Sequence, residues 1–213
     1  MRIWDISEPI EPATATFPGD NAFSREEVMR MADGASCNVS TIRMSVHVGT
    51  HADSPLHYDP AGIDSASVEL SPYLGPCCVL DVRGEGSPAL ISAAALADGI
   101  PAGCERVLLR TQPSHDHTRF DPGFPSLGGA AAEVLVQRGI RLVGIDTPSV
   151  DHASNRELDG HQALYRGRIA ILENLDLRDV PAGGGQNYEL IALPLKLVGC
   201  DASPVRAILR ELP

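Results

Sequence analysis

Aromatic side chains are scarce in this chain of 213 residues, which contains one Trp, four Tyr and four Phe. Any aromatic surface that binds a planar ligand must therefore draw on few candidates. Long apolar runs are also missing, because no segment approaches the roughly 18 consecutive apolar residues of a membrane-spanning helix. With 43% hydrophobic residues, the chain still has enough apolar side chains to form a globular core.

Positive charge is the second deficit of the sequence. Seventeen Lys and Arg stand against 28 Asp and Glu, which gives a formal net charge of −11 when His is neutral. Because a chain this acidic repels phosphate groups, the composition excludes general binding to nucleic acids or anionic membranes.

Several local signatures are missing as well. Residues 1–5 lack the basic start of a secretory signal peptide, and no apolar stretch follows them, so we expect a cytoplasmic protein. The five Cys include no C-x-x-C pair and are interpreted as buried, reduced thiols, so a thiolate zinc site is not expected. No G-x-S-x-G, P-loop or strand-linked G-x-G-x-x-G motif occurs.

Short apolar segments recur along the chain and predict its elements. Strands are expected over residues 3–7, 42–48, 77–82, 107–110, 142–145, 169–172 and 190–197. Helices are expected over residues 93–98, 129–138, from 155 or 159 to 165, and 205–212. This order predicts an α/β fold with a mixed β-sheet core and flanking helices, and the length predicts one domain over residues 1–213.

Three of the seven His and one Asp fall within the segment H-V-G-T-H-A-D-S-P-L-H at residues 47–57. On a straight strand His47 and His51 would lie about 13 Å apart, too far to bind one ion. A helix would bring them together, but Gly49 and Pro55 disfavour one. We therefore expect a strand that bends at Gly49 and gathers these side chains, which suit Zn²⁺, Mn²⁺ or Fe²⁺. The alternative is a solvated loop with scattered His.

A second segment should supply further ligands. His161 lies in a predicted helix, and Glu173 directly follows an apolar strand, where a carboxylate is costly to bury unless it is paired or metal-bound. Asp146 ends another apolar strand in the same way and competes with Glu173. Exposed loops are the interpretation for His115, His117 and His152.

The segment at residues 47–57 resembles the H-x-G-T-H-x-D-x-P-x-H signature of the cyclase-like metal-dependent hydrolases. Other pieces resemble the kynurenine formamidase branch of that family: W-D-I-S at residues 4–7, F-P-G-D at 17–20, G-I-D-T-P-S at 144–149, I-L-E-N at 171–174 and D-A-S-P-V-R at 201–206. The resemblance covers nearly the whole chain, and the histidine signature is its most specific part. It implies the swivelling β/α fold of this family.

The resemblance also implies a site for two divalent metal ions, usually zinc. His47, His51 and Asp53 match ligands of the first metal, and Asp53 also matches a bridging carboxylate. His161 matches a ligand of the second metal. Glu173 matches a ligand that both metals share.

Two more residues acquire expected roles from the resemblance. His57 matches the catalytic acid and base. Phe17 stands where this branch typically has a substrate-contacting Trp, so an aromatic face is kept while the indole N–H donor is lost. The resemblance further implies a homodimer, and the Pro-rich segment 9–20 is a candidate for placing Phe17 in the site of the partner subunit.

The implied reaction is the hydrolysis of N-formyl-L-kynurenine to L-kynurenine and formate. A metal lowers the pKa of bound water from about 15.7 to about 7, which allows hydroxide to attack the formyl carbon. His57 would protonate the aniline nitrogen as it leaves. Two alternatives stay open: another cyclase-like hydrolase that acts on a cyclic or aryl amide such as isatin, and a non-catalytic metal-binding protein.

Overall fold

The computed structural model describes residues 1–84, 86–87, 90–112, 116–183, 185 and 187–212. Its strands are β1 (Ile3–Asp5), β2 (Ser24–Met29), β3 (Val39–Arg43), β4 (His51–Asp53), β5 (Leu74–Asp81), β6 (Gly86–Ser87), β7 (Leu90–Ile91), β8 (Arg106–Arg110), β9 (Leu142–Ile145), β10 (Ala170–Glu173), β11 (Tyr188–Ile191), β12 (Ala202–Pro204) and β13 (Ile208–Glu211). Its helices are α1 (Ala93–Gly99), α2 (Gly128–Gln137) and α3 (Asp159–Arg166). Among the described residues, no helix has the length and apolarity needed to span a bilayer.

The central element is a nine-stranded mixed sheet with the order β1-β13-β11-β5-β8-β9-β10-β4-β12. Strands β5, β8, β9 and β10 run parallel to one another, and the strands outside this group pair antiparallel. Strands β2 and β3 form a separate exposed hairpin. The prediction of an α/β fold with a mixed sheet is confirmed.

The central residues of the parallel strands are apolar because both faces of these strands are buried there. On β8, Val107 and Leu109 pack in the same cluster as Leu96 of α1 and Leu135 of α2. Leu108, between them, belongs to a second cluster on the other face of the sheet. The period of two along a strand thus divides the core between a helix-covered face and an opposite face.

Local capping signals correctly predicted helix α1. Ser92 accepts a hydrogen bond at its Oγ from the backbone N–H of Ala95 at 3.2 Å, which satisfies one of the free N–H groups of the first turn. The predicted helices over residues 129–138 and 159–165 are likewise present as α2 and α3, with ends shifted by one residue.

The predicted helix over residues 205–212 is wrong, because β13 occupies residues 208–211 and β12 ends just before the range at Pro204. Ser203 does not cap a helix: its hydroxyl accepts a hydrogen bond from the backbone N–H of Leu195 at 2.7 Å. Pairing of β12 with β4 and of β13 with β1 and β11 outweighs the local Ser-Pro signal.

Two predicted strands also differ from the structure. Strand β3 ends at Arg43, and its five residues are exposed, so the alternation over residues 42–48 does not mark a strand with a buried face. Strand β11 ends at Ile191, well short of residue 197. The five Cys are free thiols, but Cys37 is exposed and Cys200 is half-buried, against the prediction that all are buried.

Candidate active site

Strand β4 carries three consecutive buried residues and lies between β10 and β12. In its antiparallel pairing with β10, His51 stands directly opposite Glu173. Directly opposed side chains on neighbouring strands lie within contact distance. The His51 Nε2 atom is accordingly 3.3 Å from Glu173 Oε2, although the two residues are far apart in the sequence.

The chain bends before β4, as predicted at Gly49. This glycine has a φ of +66°, and a Cβ atom there would lie 2.8 Å from Cγ1 of Ile10. A side chain is therefore excluded both by backbone conformation and by space. The bend brings the ring of His47 to 4.9 Å from the ring of His51, between centroids. His51 donates from Nδ1 to the Gly49 carbonyl at 2.9 Å, which leaves Nε2 facing the site.

Asp53 is the centre of the cluster, and its two carboxylate oxygens face different imidazoles. Oδ1 lies 3.3 Å from His47 Nδ1 and 3.4 Å from His51 Nε2. Oδ2 lies 3.4 Å from His161 Nε2, which is also 3.6 Å from Glu173 Oε1. The structure thus brings together all five side chains that were predicted as metal ligands.

Helix α3 contributes His161 through its first turn, which Asp151 holds in place. The Asp151 carboxylate accepts hydrogen bonds from the backbone N–H groups of Gly160 and His161, each at 2.9 Å, and from His161 Nδ1 at 2.8 Å. A Cβ atom on Gly160 would lie 2.7 Å from Asp151 Oδ1, so the close approach requires glycine. One carboxylate therefore satisfies the helix start and orients the His161 ring.

His57 follows β4 on a short 3₁₀ helix, Pro55–His57, and its side chain stays partly exposed. Its Nδ1 atom lies 3.4 Å from Asp201 Oδ2, and the same oxygen lies 3.1 Å from His47 Nε2. Asp201 thus touches a residue of the buried cluster and the predicted acid and base. At His47 this contact leaves the other ring nitrogen, Nδ1, facing Asp53 Oδ1 at 3.3 Å.

The buried charges of the cluster stabilise one another. Burial opposes protonation of His51, but Asp53 and Glu173 outweigh it and raise the pKa of His51 to about 10. Burial also opposes ionisation of Asp53, yet the neighbouring imidazoles hold its pKa well below the usual value. The pKa of His161 is raised by Asp151, Asp53 and Glu173 against the effect of its own burial. The cluster is therefore built to hold positive charge beside its carboxylates.

The donor atoms fit a metal centre. His51 Nε2, His161 Nε2 and both Asp53 oxygens are buried and make no hydrogen bond with any described residue. Two atoms that each lie about 2.0–2.1 Å from a tetrahedral ion are about 3.4 Å apart. The nitrogen–oxygen separations of 3.3–3.6 Å in the cluster agree with that spacing. Two groups of three side chains share Asp53, namely His47, Asp53 and His57, and His51, Asp53 and Glu173.

The cluster opens into a cavity of about 670 Å³. Phe17 lies on the wall of this cavity in its own chain, and a contribution to a partner's site stays a prediction. Its ring meets Phe120 edge-to-face, with centroids 5.2 Å apart. The backbone N–H of Ala15 donates to the His117 carbonyl at 2.8 Å and joins the segment of Phe17 to that of Phe120. The two segments form an aromatic wall beside the cluster.

The other residues that the sequence offered as candidates lie outside the cluster or on the wall of the cavity. Asp146 is buried but accepts hydrogen bonds from Thr111 and Gln112 and does not join the cluster. His117 and His152 lie in loops, as predicted, but both are half-buried on the wall of the cavity. His115 lies outside the described residues.

Sequence reasoning did not identify Asp151 and Asp201 as functional candidates. Asp151 was available as a carboxylate ten residues before His161, but its role depends on how the loop folds. Asp201 belongs to the D-A-S-P-V-R segment that carried part of the resemblance. Its contact with His57 joins residues 144 positions apart, so no spacing pattern could have indicated it.

Comparison with known proteins assigns this chain to a family. The family described as putative cyclase matches residues 4–152. A protein named kynurenine formamidase from Sphingopyxis alaskensis is 44% identical over 211 residues, which cover 99% of both chains. A second protein of that name, from Polaromonas naphthalenivorans, is 46% identical over 212 residues, which cover 100% of this chain and 92% of the relative. The chain belongs to the kynurenine formamidase branch of the cyclase family.

Solved structures of the cyclase family agree with this membership. A potential metal-dependent hydrolase with cyclase activity superposes with a TM-score of 0.84 at 30% identity, over 99% of both chains. Isatin hydrolase A from Labrenzia aggregata superposes with a TM-score of 0.78 at 26% identity, over 98% of this chain and 93% of that chain. As a member of the formamidase branch, the protein is an amide hydrolase with the cyclase-like fold.

Proposed function

We propose that this enzyme hydrolyses N-formyl-L-kynurenine to L-kynurenine and formate. The observation that carries the proposal is the cluster around Asp53, whose buried donor atoms lack hydrogen-bond partners beside a cavity with an aromatic wall. Membership in the formamidase branch supports the substrate. The formyl group is the smallest acyl group, and it suits a reaction centre enclosed by buried side chains.

The cluster would hold two divalent metal ions, with zinc as the proposed metal. His47, His51 and Asp53 would bind one ion, and Asp53, His161 and Glu173 would bind the other. His51 and Glu173 also lie close enough to share an ion. When bound, such ions activate water for attack at neutral pH and polarise the carbonyl oxygen of an amide.

His57 would act as the general acid that protonates the leaving group. An aniline nitrogen departs poorly as an anion, so it must be protonated as the carbon–nitrogen bond breaks. Asp201 faces His57 Nδ1 and favours the tautomer with a proton on that atom. The His57 Nε2 atom is then free to take a proton from water and deliver it to the nitrogen.

The aryl ring of the substrate would pack on Phe17 and Phe120. Edge-to-face contact between these rings fixes their orientation and presents an apolar surface to the cavity. Phe17 offers no N–H donor, so it contributes packing without a hydrogen bond to the substrate. On this side of the cavity, the preference for an aryl amide would come from the fit of its ring against Phe17 and Phe120 and from apolar contact with them.

The proposed assembly is a homodimer. The hairpin of β2 and β3 exposes several apolar side chains that a monomer would leave in water: Val28, Met29, Val39 and Ile42. A second copy of the chain could cover them, since exposed apolar patches of this kind mark interaction surfaces.

The decisive experiment measures hydrolysis of N-formyl-L-kynurenine before and after metal chelation, followed by addition of Zn²⁺, Mn²⁺ or Fe²⁺. We expect activity that disappears with the metal and returns on its addition. Isatin and simple aryl formamides serve as parallel substrates. Activity confined to isatin would replace the proposal with the isatin-type alternative, and metal binding without turnover of any amide would indicate a binding protein.

A further inference from the structure

Glu8 has an unusual environment on the wall of the cavity. Its side chain is 1% exposed, and neither carboxylate oxygen has a hydrogen-bond partner among the described residues. Burial raises the pKa of this carboxyl group above its usual value. Buried carboxylates are normally paired or hydrogen-bonded, because an uncompensated buried charge is destabilising. The proposed hydrolysis does not use Glu8, so its environment needs another explanation.

The position of Glu8 links it to the reaction centre. Its backbone N–H donates to Thr50 Oγ1 at 2.8 Å, and Thr50 directly precedes the cluster residue His51. Glu8 also shares the N-terminal segment with Phe17, and both residues line the same cavity. A ligand with its ring on Phe17 and its amide at the cluster would therefore occupy the same cavity whose wall includes Glu8.

Among the described side chains, Glu8 has an ion-pair contact with His117, but no cation donates a hydrogen bond to it. The nearest candidate is His117, whose Nδ1 atom is 3.7 Å from Glu8 Oε2, beyond hydrogen-bond distance. The other nitrogen of that ring contacts Glu11 Oε1 at 3.0 Å. Arg178 makes its close ion pair with Asp176. The two carboxylate oxygens of Glu8 can therefore still accept hydrogen bonds from a ligand in the cavity.

We propose that Glu8 binds the α-ammonium group of the substrate and selects aryl formamides that carry an amino acid chain. This inference rests on the proposed function. An ammonium group has three N–H donors and a positive charge. It would therefore supply the hydrogen bonds and the counter-charge that the two Glu8 oxygens lack in the structure. N-formyl-L-kynurenine carries this group on the chain beside its ring, whereas simple aryl formamides do not.

The test compares two substrates that differ in one group. One is N-formyl-L-kynurenine, and the other is 4-(2-formamidophenyl)-4-oxobutanoate, which keeps the carboxylate and lacks the α-amino group. The metal-loaded enzyme should prefer the amino acid by about 10- to 100-fold in kcat/KM, the range for a hydrogen bond to a charged group. Glu8→Gln keeps the size of the side chain and removes its charge. It should lose this preference while its activity on the des-amino substrate stays near that of the unmodified enzyme.

Glu11→Gln is the matched control, because Glu11 contacts the same His117 but is about half exposed. It should keep the preference of the unmodified enzyme. Binding of the product L-kynurenine, measured by calorimetry, should weaken in Glu8→Gln and not in Glu11→Gln. Metal content and melting temperature of both variants verify that the fold and the cluster are intact.

The outcomes separate this inference from the proposed function. Equal losses on both substrates in Glu8→Gln would overturn the ammonium site and assign Glu8 a role in holding the His117 segment. An unmodified enzyme that shows no preference between the substrates would also overturn it. Failure of the unmodified enzyme to hydrolyse either substrate would contradict the proposed function itself.

Discussion

At the scale of single residues, Asp53 is the carboxylate around which three imidazoles of the cluster gather. Its side chain is fully buried, and three imidazoles lie within 3.3–3.4 Å of its two oxygens. These neighbours stabilise its negative charge, and Asp53 in turn favours protonated imidazole in His47 and His51. Removal of one member of such a group leaves an uncompensated buried charge, so the residues depend on one another.

His57 differs from the other imidazoles, because its side chain is 32% exposed and lies at the edge of the buried cluster. We expect His57→Ala to keep its metal content and to lose about 10²- to 10⁴-fold in kcat, the usual contribution of general acid–base catalysis. Steady-state kinetics together with elemental analysis check this prediction. Near-normal turnover with full metal content would remove His57 from the proton-transfer step.

At the scale of elements, the start of α3 is the part of the fold that places His161. Asp151 precedes the helix by several residues and accepts hydrogen bonds from two backbone N–H groups of its first turn. The same carboxylate fixes the His161 ring with Nε2 toward Asp53. The orientation of one proposed ligand therefore depends on a loop–helix junction outside the cluster.

The substitution Asp151→Ala should weaken metal affinity by about 10- to 100-fold, the usual effect of losing a partner that orients a ligand. It should also lower the melting temperature of the metal-free protein, since the helix start loses its acceptor. Asp159→Asn is the control, because Asp159 lies at the same helix start and does not contact His161. Titration with a competing chelator measures the affinity, and an unchanged value for Asp151→Ala would contradict the assignment.

At the scale of the whole molecule, the sheet brings the N-terminal, middle and C-terminal parts of the chain to one place. Strand β4 lies between β10 and β12, and β1 at the far edge pairs with β13. Loading the cluster with metal would therefore stabilise contacts between distant segments. A ligand that binds the folded state alone raises the free energy of unfolding of the entire fold.

This coupling predicts how stability depends on pH. The pKa of His51 is about 10 in the metal-free fold, against 6.5 ordinarily, and those of His47 and His161 are also raised. Their stabilising effect is fully present below about pH 6.5 and is lost as the pH rises toward 10. We expect the metal-free protein to lose stability over this window, while the metal-bound form loses less. Melting curves of both forms from pH 6 to 9 should diverge, and metal binding should release protons in calorimetry across buffers. A constant separation of the melting curves would contradict the prediction.

The sequence by itself determined the chemistry of the cluster and the class of fold. The density of His and Asp around Gly49 is a local property, and strands β5, β8, β9 and β10 appear as apolar runs because each is buried on both faces. These signals need no knowledge of distant contacts. They were sufficient to predict a mixed α/β sheet and a cluster of His47, His51 and Asp53, whereas His161 and Glu173 were assigned to the cluster by the resemblance to the cyclase-like hydrolases.

Tertiary structure alone decided the remaining features. Residues 205–212 carry a good helix start, yet pairing with β1 and β11 makes them part of the sheet. Asp201 meets His57 across 144 positions, and Glu8 meets Thr50 across 42. Burial and hydrogen bonding depend on which segments the sheet brings together, and this information is spread over the whole chain. For that reason the residues that position and surround the cluster emerged only from the folded structure.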